Sequence, residues 1–150
     1  MKVIIVEDDE FKLDKIKDFF RDQHPTAEVT TVKAVMPAMR TISSASFDFA
    51  VIDMSLPTYE VTAVEPGGRP QVFGGKEILR YIERKRINIQ VVVLTQFEMF
   101  GKGDEAQEIS DLGEELFQHY PRIFLGIIYF EHSGKWRDQL MEKLGSVIDG

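Results

Sequence analysis

The 150-residue chain has no cysteine and only three histidines. Without thiols there can be no disulfide, no thiolate metal site and no cysteine nucleophile. His24, His119 and His132 lie in unrelated contexts, so no histidine metal triad is expected. Long hydrophobic runs are also missing. No apolar stretch reaches the length that crosses a bilayer. The N-terminus lacks the basic-then-apolar order of a secretory signal, because acid follows the first apolar run at once. These absences lead to the expectation of a soluble, cytoplasmic protein without a membrane partner.

Positive charge is in deficit as well: 18 Lys and Arg against 25 Asp and Glu give a formal net charge of -7. A phosphate backbone would be repelled, which argues against nucleic acid. The densest basic cluster, Glu83-Arg84-Lys85-Arg86, falls where a helix is expected to end, and cations there suit the helix dipole. No glycine-rich turn follows the first strand, so a dinucleotide fold is disfavoured. Gly101-Lys102-Gly103 lacks the rest of a phosphate-cradling loop.

What is present is an alternation of apolar runs and amphipathic segments. Lys2–Val6 reads as a strand buried on both faces. Phe11–Phe20 is helical, with Leu13, Ile16, Phe19 and Phe20 on one side and Asp8 or Asp9 as its cap. Ala27–Val32 is a second strand. A second helix carries Pro37 in its first turn, and Ser43-Ser44-Ala45-Ser46 reads as a loop. Phe49–Ile52 is a third strand. Within the irregular stretch Pro57–Phe73, Tyr59–Val64 reads as one arm of a hairpin, Glu65-Pro66-Gly67-Gly68 as its turn and Gln71-Val72-Phe73 as the return. Helix follows from Gly74 to Arg86, then a strand Val91–Leu94 and a loop Phe97–Gly103. A longer helix is expected over Asp104–Tyr120, a strand over Ile123–Phe130 and a last helix marked by Trp136, Leu140, Leu144, Val147 and Ile148. Five strand–helix repeats imply an α/β fold: a doubly wound, five-stranded parallel sheet with an insertion after the third strand. The length fits one domain, with no output domain after the last helix.

A parallel sheet gathers the carboxyl ends of its strands along one rim. That rim would hold Glu7 and Asp8 from the first strand, Asp53 from the third and Thr95 from the fourth. Crowded carboxylates repel and raise one another's pKa, and a hard divalent cation relieves them. A hydroxyl beside them suits a phosphoryl group. Acids at two strand ends with threonine at a third are poorly explained as ordinary helix caps.

The same residues resemble the bacterial response-regulator receiver domain of two-component signalling. Val3-Ile4-Ile5-Val6-Glu7-Asp8-Asp9-Glu10 is similar to that family's first strand and acidic pair. Val51-Ile52-Asp53-Met54-Ser55-Leu56-Pro57 resembles the strand of the phosphoacceptor aspartate, with proline four places on. Gly75-Lys76-Glu77-Ile78-Leu79 resembles the helix start that follows, and Val92-Val93-Leu94-Thr95 the strand of the switch hydroxyl. The resemblance implies a flavodoxin-like receiver fold. It implies Asp53 as phosphoacceptor from a histidine kinase or phosphotransfer protein, and Mg²⁺ held by Glu7, Asp8, Asp53 and the Ser55 backbone carbonyl. Thr95 would be the switch, acting on an effector protein that lies on another chain or outside this sequence. Asp9 would lie just outside the metal pair, with Glu10 a surface acid. Members of the family often pair through the fourth helix, fifth strand and fifth helix; that face is rebuilt here, so a homodimer is one option and the oligomeric state stays open.

Three departures stand out. The family's lysine after the last strand is missing, and Glu131 or His132 holds its place. Lys135 follows a few residues late, either as its substitute or as a surface residue. The 57–73 stretch replaces a short loop. Gln96 stands where a small residue is usual after the switch hydroxyl, followed by Phe97, Met99 and Phe100, either exposed or packed under the long helix. These departures keep open a degenerate receiver that works as a phosphorylation-independent interaction module. A hydrolase is disfavoured: an aspartate-nucleophile phosphatase would want a second aspartate two places after Asp53, where Ser55 stands.

Overall fold

The inner strands of the main sheet, Lys2–Val6, Phe49–Ile52 and Gln90–Thr95, are largely apolar runs because helices cover both of its faces, whereas the edge strand Glu28–Val32 is mostly exposed. The structure, a computed structural model, describes residues 1–59, 70–71, 73–100 and 107–149. In chain order the first elements are β1 (Lys2–Val6), α1 (Glu10–Gln23), β2 (Glu28–Val32), α2 (Val35–Ser44) and β3 (Phe49–Ile52). Then come β4 (Leu56–Pro57), β5 (Pro70–Gln71), α3 (Gly74–Arg84) and β6 (Gln90–Thr95). The remainder is β7 (Met99–Phe100), β8 (Gln107–Glu108), α4 (Ile109–His119), β9 (Phe124–Tyr129) and α5 (Lys135–Asp149). The main sheet has the order β2-β1-β3-β6-β9 and is parallel throughout. The doubly wound α/β fold expected from the alternation is therefore the one observed. None of the described helices is long and apolar enough to cross a membrane.

The period of two along each strand splits the core into two layers. Ile4, Val6, Ala50, Ile52, Val91 and Val93 face α2, α3 and α4, where Ile78, Leu79, Ile82, Leu112 and Leu116 are buried. Val3, Ile5, Phe49, Val51, Val92 and Leu94 face α1 and α5, packed on Phe19, Phe20, Trp136 and Leu140. Helix α1 begins where the sequence places a cap. Asp9 has extended backbone and its carboxylate accepts from the Phe11 and Lys12 amides, which satisfies donors that a helix start leaves orphaned. A register shift between Val91 and Val92 puts an extra residue into β9 beside β6. Gly126, with φ of 155°, follows it in a conformation that side chains rarely adopt.

Several boundaries differ from the sequence expectation. The loop assigned to Ser43–Ser46 is partly helix, since α2 runs through Ser44. The loop assigned from Phe97 contains β7, which pairs antiparallel with β8, and helix α4 starts at Ile109 rather than Asp104. A two-residue ladder needs no apolar alternation, so periodicity does not reveal it. The insertion is closed at its base by the antiparallel pairs Leu56–Gln71 and Pro57–Pro70. Its expected arm from Tyr59 to Val64 and its turn lie outside the described residues beyond Tyr59. Phe73 is not a strand residue but sits directly before α3. Phe97 is exposed and Ile148 is 52% exposed, although helical spacing put Ile148 on the apolar stripe. Helix ends have too little neighbouring structure to cover such a residue.

Candidate functional site

Register brings the first two acids together. Val6 is paired with Ile52 across β1 and β3, and the Asp53 amide donates to Val6 O at 3.0 Å. Glu7 and Asp53 therefore emerge side by side at the carboxyl end of the sheet, where doubly wound folds build their sites. Both continue the parity of Val3, Ile5, Phe49 and Val51, and so turn toward the α1 layer. Glu7 and Asp53 are buried, at 1% and 2% exposure, whereas Asp8 is exposed. Carboxylate oxygens of Glu7, Asp8 and Asp53 lie within 4.8 Å of one another.

Lys12 enters the same space from the first turn of α1. Its Nζ is 2.7 Å from Glu7 Oε1 and 3.3 Å from Asp53 Oδ1. It donates to Leu94 O at 2.5 Å and to Gln96 Oε1 at 3.0 Å. With its aligned hydrogen bonds spent on Leu94 and Gln96, Glu7 Oε1 keeps a charge contact but no aligned hydrogen bond. The other Glu7 oxygen accepts from the Asp9 amide at 3.1 Å. Asp53 Oδ1 accepts from the Met54 amide at 2.8 Å. Asp53 Oδ1 is thus the oxygen engaged by both the Met54 amide and Lys12.

One lysine does not balance this cluster. Burial pushes the Glu7 carboxyl up to about 8, against the pull of Lys12 and with the Asp53 charge adding to the rise. Burial also holds Asp53 above its ordinary value, opposed chiefly by Lys12. Hard oxygen donors, two buried carboxylates sharing one lysine and a shortage of positive charge fit a small divalent cation such as Mg²⁺.

Thr95 ends β6 fully buried, one strand over from Asp53, with Oγ1 accepting from the Phe97 amide at 3.2 Å. Ser55 is half-buried in the turn after β3. Gly75, at the start of α3, packs against the back of the site. Its amide donates to Met54 O at 2.8 Å, and a Cβ there would lie 2.8 Å from Asp53 O.

The structure does not bring Lys135 to these groups. It is the exposed first residue of α5, and among the described residues the cation paired with Glu7 and Asp53 is Lys12. The strand-end position holds Glu131, whose carboxylate turns back onto the start of α5. It accepts from the Ser133 hydroxyl and, at 2.6 Å, from the Ser133 amide. The Ser133 hydroxyl chiefly, helped by the Lys135 and Trp136 amides, holds the Glu131 carboxyl below its ordinary value.

Sequence reasoning missed Lys12. Two signals pointed to it. Lys12, Ile16 and Phe19 share helical spacing on the buried stripe, and a cation at a helix start opposes the dipole.

No protein-family model matches the chain. It is 26% identical over 149 residues to the Detocs response regulatory protein DtcB of Enterobacter cloacae, covering 96% of this chain and 98% of that protein. The protein of the same name from Vibrio alginolyticus is 27% identical over 148 residues, covering 96% and 99%. The Francisella response regulator 1452 receiver domain superposes with a TM-score of 0.63 at 18% identity, covering 97% of this chain and 94% of that one. The chain has the fold of receiver domains and is similar along nearly its whole length to proteins named response regulatory proteins. Response regulators belong to phosphorelay signalling, and this chain carries Glu7, Asp8 and Asp53 together at the carboxyl end of its sheet.

Proposed function

We propose that this receiver domain accepts a phosphoryl group on Asp53, with Mg²⁺ held by Glu7, Asp8, Asp53 and the Ser55 backbone carbonyl. The observation that carries this reading is the convergence of the Glu7, Asp8 and Asp53 oxygens within 4.8 Å beside a buried lysine. Asp53 Oδ2 attacks the phosphorus of a phosphohistidine on a kinase or phosphotransfer protein. A P–O bond forms and the P–N bond breaks; the imidazole leaves and takes its proton from solvent. Mg²⁺ bound there supplies charge neutralisation for the phosphoryl oxygens. The residues of the chain do the rest. The Met54 amide fixes the Asp53 carboxylate, and Gly75 keeps the backbone behind it closely packed. Thr95 exchanges its contact with the Phe97 amide for donation to a phosphoryl oxygen, shifting the β6 end that an effector protein reads. Intact-mass measurement after incubation with a small phosphodonor and Mg²⁺ tests this. One added phosphate on the wild type and none on Asp53→Asn is expected. No addition to the wild type, or the same addition to the variant, sinks the reading.

A second reading is favoured by the Lys12 contacts, which already give both buried carboxylates a counter-charge. In it the domain is a phosphorylation-independent interaction module. Partner affinity that ignores both Asp53→Asn and phosphodonor treatment would support it over the first.

A further inference from the structure

We propose that Lys12 is the cation that binds the phosphoryl group on Asp53, supplied by the first turn of α1 rather than by the end of β9. This rests on the reading of Asp53 as phosphoacceptor and adds a residue to it.

The placement of Lys12 is costly by local rules. It is the third residue of α1, where the unpaired amides make a helix end positive and a cation unfavourable. It is also 1% exposed, and lysine is almost never fully buried unless paired. Two carboxylates account for its burial. They do not account for the number of partners. An ammonium has three N–H groups. Nζ here faces four oxygens: Glu7 Oε1, Asp53 Oδ1, Leu94 O and Gln96 Oε1. Two of those, Leu94 O and Gln96 Oε1, are neutral acceptors, and a phosphoryl oxygen carrying negative charge outcompetes a neutral acceptor for a charged donor.

The geometry of Asp53 points the same way. Oδ1 is held by the Met54 amide and by Lys12, which leaves Oδ2 to form the bond to phosphorus. A phosphoryl group on Oδ2 is then attached to a carboxyl whose other oxygen is already 3.3 Å from Nζ. At the end of β9 the opposite has happened. Glu131 is engaged by the Ser133 amide and hydroxyl in the turn before α5, and Lys135 is exposed. A carboxylate at Glu131 cannot attract a phosphoryl group. Among the described residues the positive charge that the added group requires is Lys12, and α1 delivers it. Because Leu94 and Gln96 flank Thr95, a lysine that turns from them toward phosphate releases the same strand end that Thr95 occupies.

The experiment uses the full chain, with Mg²⁺ and beryllofluoride as the phosphoryl mimic. The ¹⁵Nζ resonance of Lys12 is followed by NMR, and beryllofluoride and Mg²⁺ affinities are measured by calorimetry on wild type, Lys12→Met, Lys135→Met and Asp53→Asn. The Lys12 Nζ resonance is expected to shift on beryllofluoride binding in wild type and to stay put in Asp53→Asn. Lys12→Met is expected to weaken beryllofluoride by about tenfold or more, the size of one hydrogen bond to a charged group, while still binding Mg²⁺. Lys135→Met should bind as wild type. An unmoved Nζ in a wild type that binds beryllofluoride overturns the inference, as does a loss of affinity in Lys135→Met in place of Lys12→Met. Mg²⁺ binding without any beryllofluoride binding by wild type instead removes the phosphoacceptor reading, and the role of Lys12 with it. If Lys12→Met does not fold, the wild-type Nζ resonance decides alone.

Discussion

The Lys12 ammonium lies 2.7 Å from Glu7 Oε1, and each side chain is 1% exposed. A pair this deep gives little net stability over two apolar residues, yet losing one member leaves the other uncompensated. Here one cation serves Glu7 and Asp53 together. Lys12→Met is therefore expected to destabilise the fold by about 3–5 kcal/mol in the absence of metal. Adding Glu7→Gln to it should recover part of that loss, because a buried carboxyl left without its lysine partner is removed. Urea unfolding at neutral pH measures both. A Lys12→Met variant as stable as wild type would show that the two acids are accommodated some other way.

Mg²⁺ should raise stability, since a ligand that binds only the folded state shifts the unfolding equilibrium by mass action. At a concentration one hundred times its dissociation constant the gain is about 2.7 kcal/mol. The sign follows from the excess of carboxylate over lysine at the rim, where Glu7 is already pushed up to about 8. Asp53→Asn and Glu7→Gln should each reduce the gain. Calorimetric melting with and without Mg²⁺ checks this, and an unchanged midpoint for wild type at millimolar Mg²⁺ would count against a metal at Glu7, Asp8 and Asp53.

The sheet was legible because its strands carry their own punctuation. Val3–Val6, Phe49–Ile52 and Val91–Leu94 are apolar runs ending in Glu7, Asp53 and Thr95, and Asp9 caps α1 as its residue type suggests. Lys12 was not legible by the same rules. A lysine in an amphipathic helix is read as solvent-facing, and only the tertiary meeting of α1 with the rim turns its stem inward. Once β1 and β3 are aligned, though, parity alone sends Glu7 and Asp53 toward α1. A cation on the α1 stripe could have been matched to them. The short ladders β4–β5 and β7–β8 escaped because two residues carry no period. The exposure of Phe97 is likewise a tertiary outcome.

Glu131 carries the pH prediction. Its carboxyl is held below the ordinary value of 4.5 by the Ser133 hydroxyl and the amides at the start of α5. The folded state therefore favours the ionised form. That contribution is fully present above the unfolded-state value and is lost as pH falls through the lower folded-state value. Wild type should be more stable than Glu131→Gln near neutrality, by an amount that stays constant down to about 4.5 and shrinks below it. Paired urea titrations across that range read the gap. A gap that widens on acidification would show the sign to be wrong.

Gly75 tests whether the backbone behind Asp53 is held by packing. A Cβ at this position would lie 2.8 Å from Asp53 O and 3.0 Å from Met54 Cα. Both are backbone atoms and cannot rotate aside, unlike a flexible side-chain end. Gly75→Ala must therefore move either the start of α3 or the β3–β4 turn that carries Asp53 and Met54. Helix propensity acts in the opposite direction, since alanine is favoured over glycine in a helix by about 1 kcal/mol. Overpacking of a tight site costs about 1–3 kcal/mol, so the net effect is expected to be destabilising, by about 1 kcal/mol. Activity should fall further than stability, because the shift displaces the carboxylate that the Met54 amide positions. Phosphodonor labelling by intact mass, set beside the unfolding free energy, separates the two effects. A Gly75→Ala variant that is more stable than wild type and labels as fast would mean that this contact does not position Asp53.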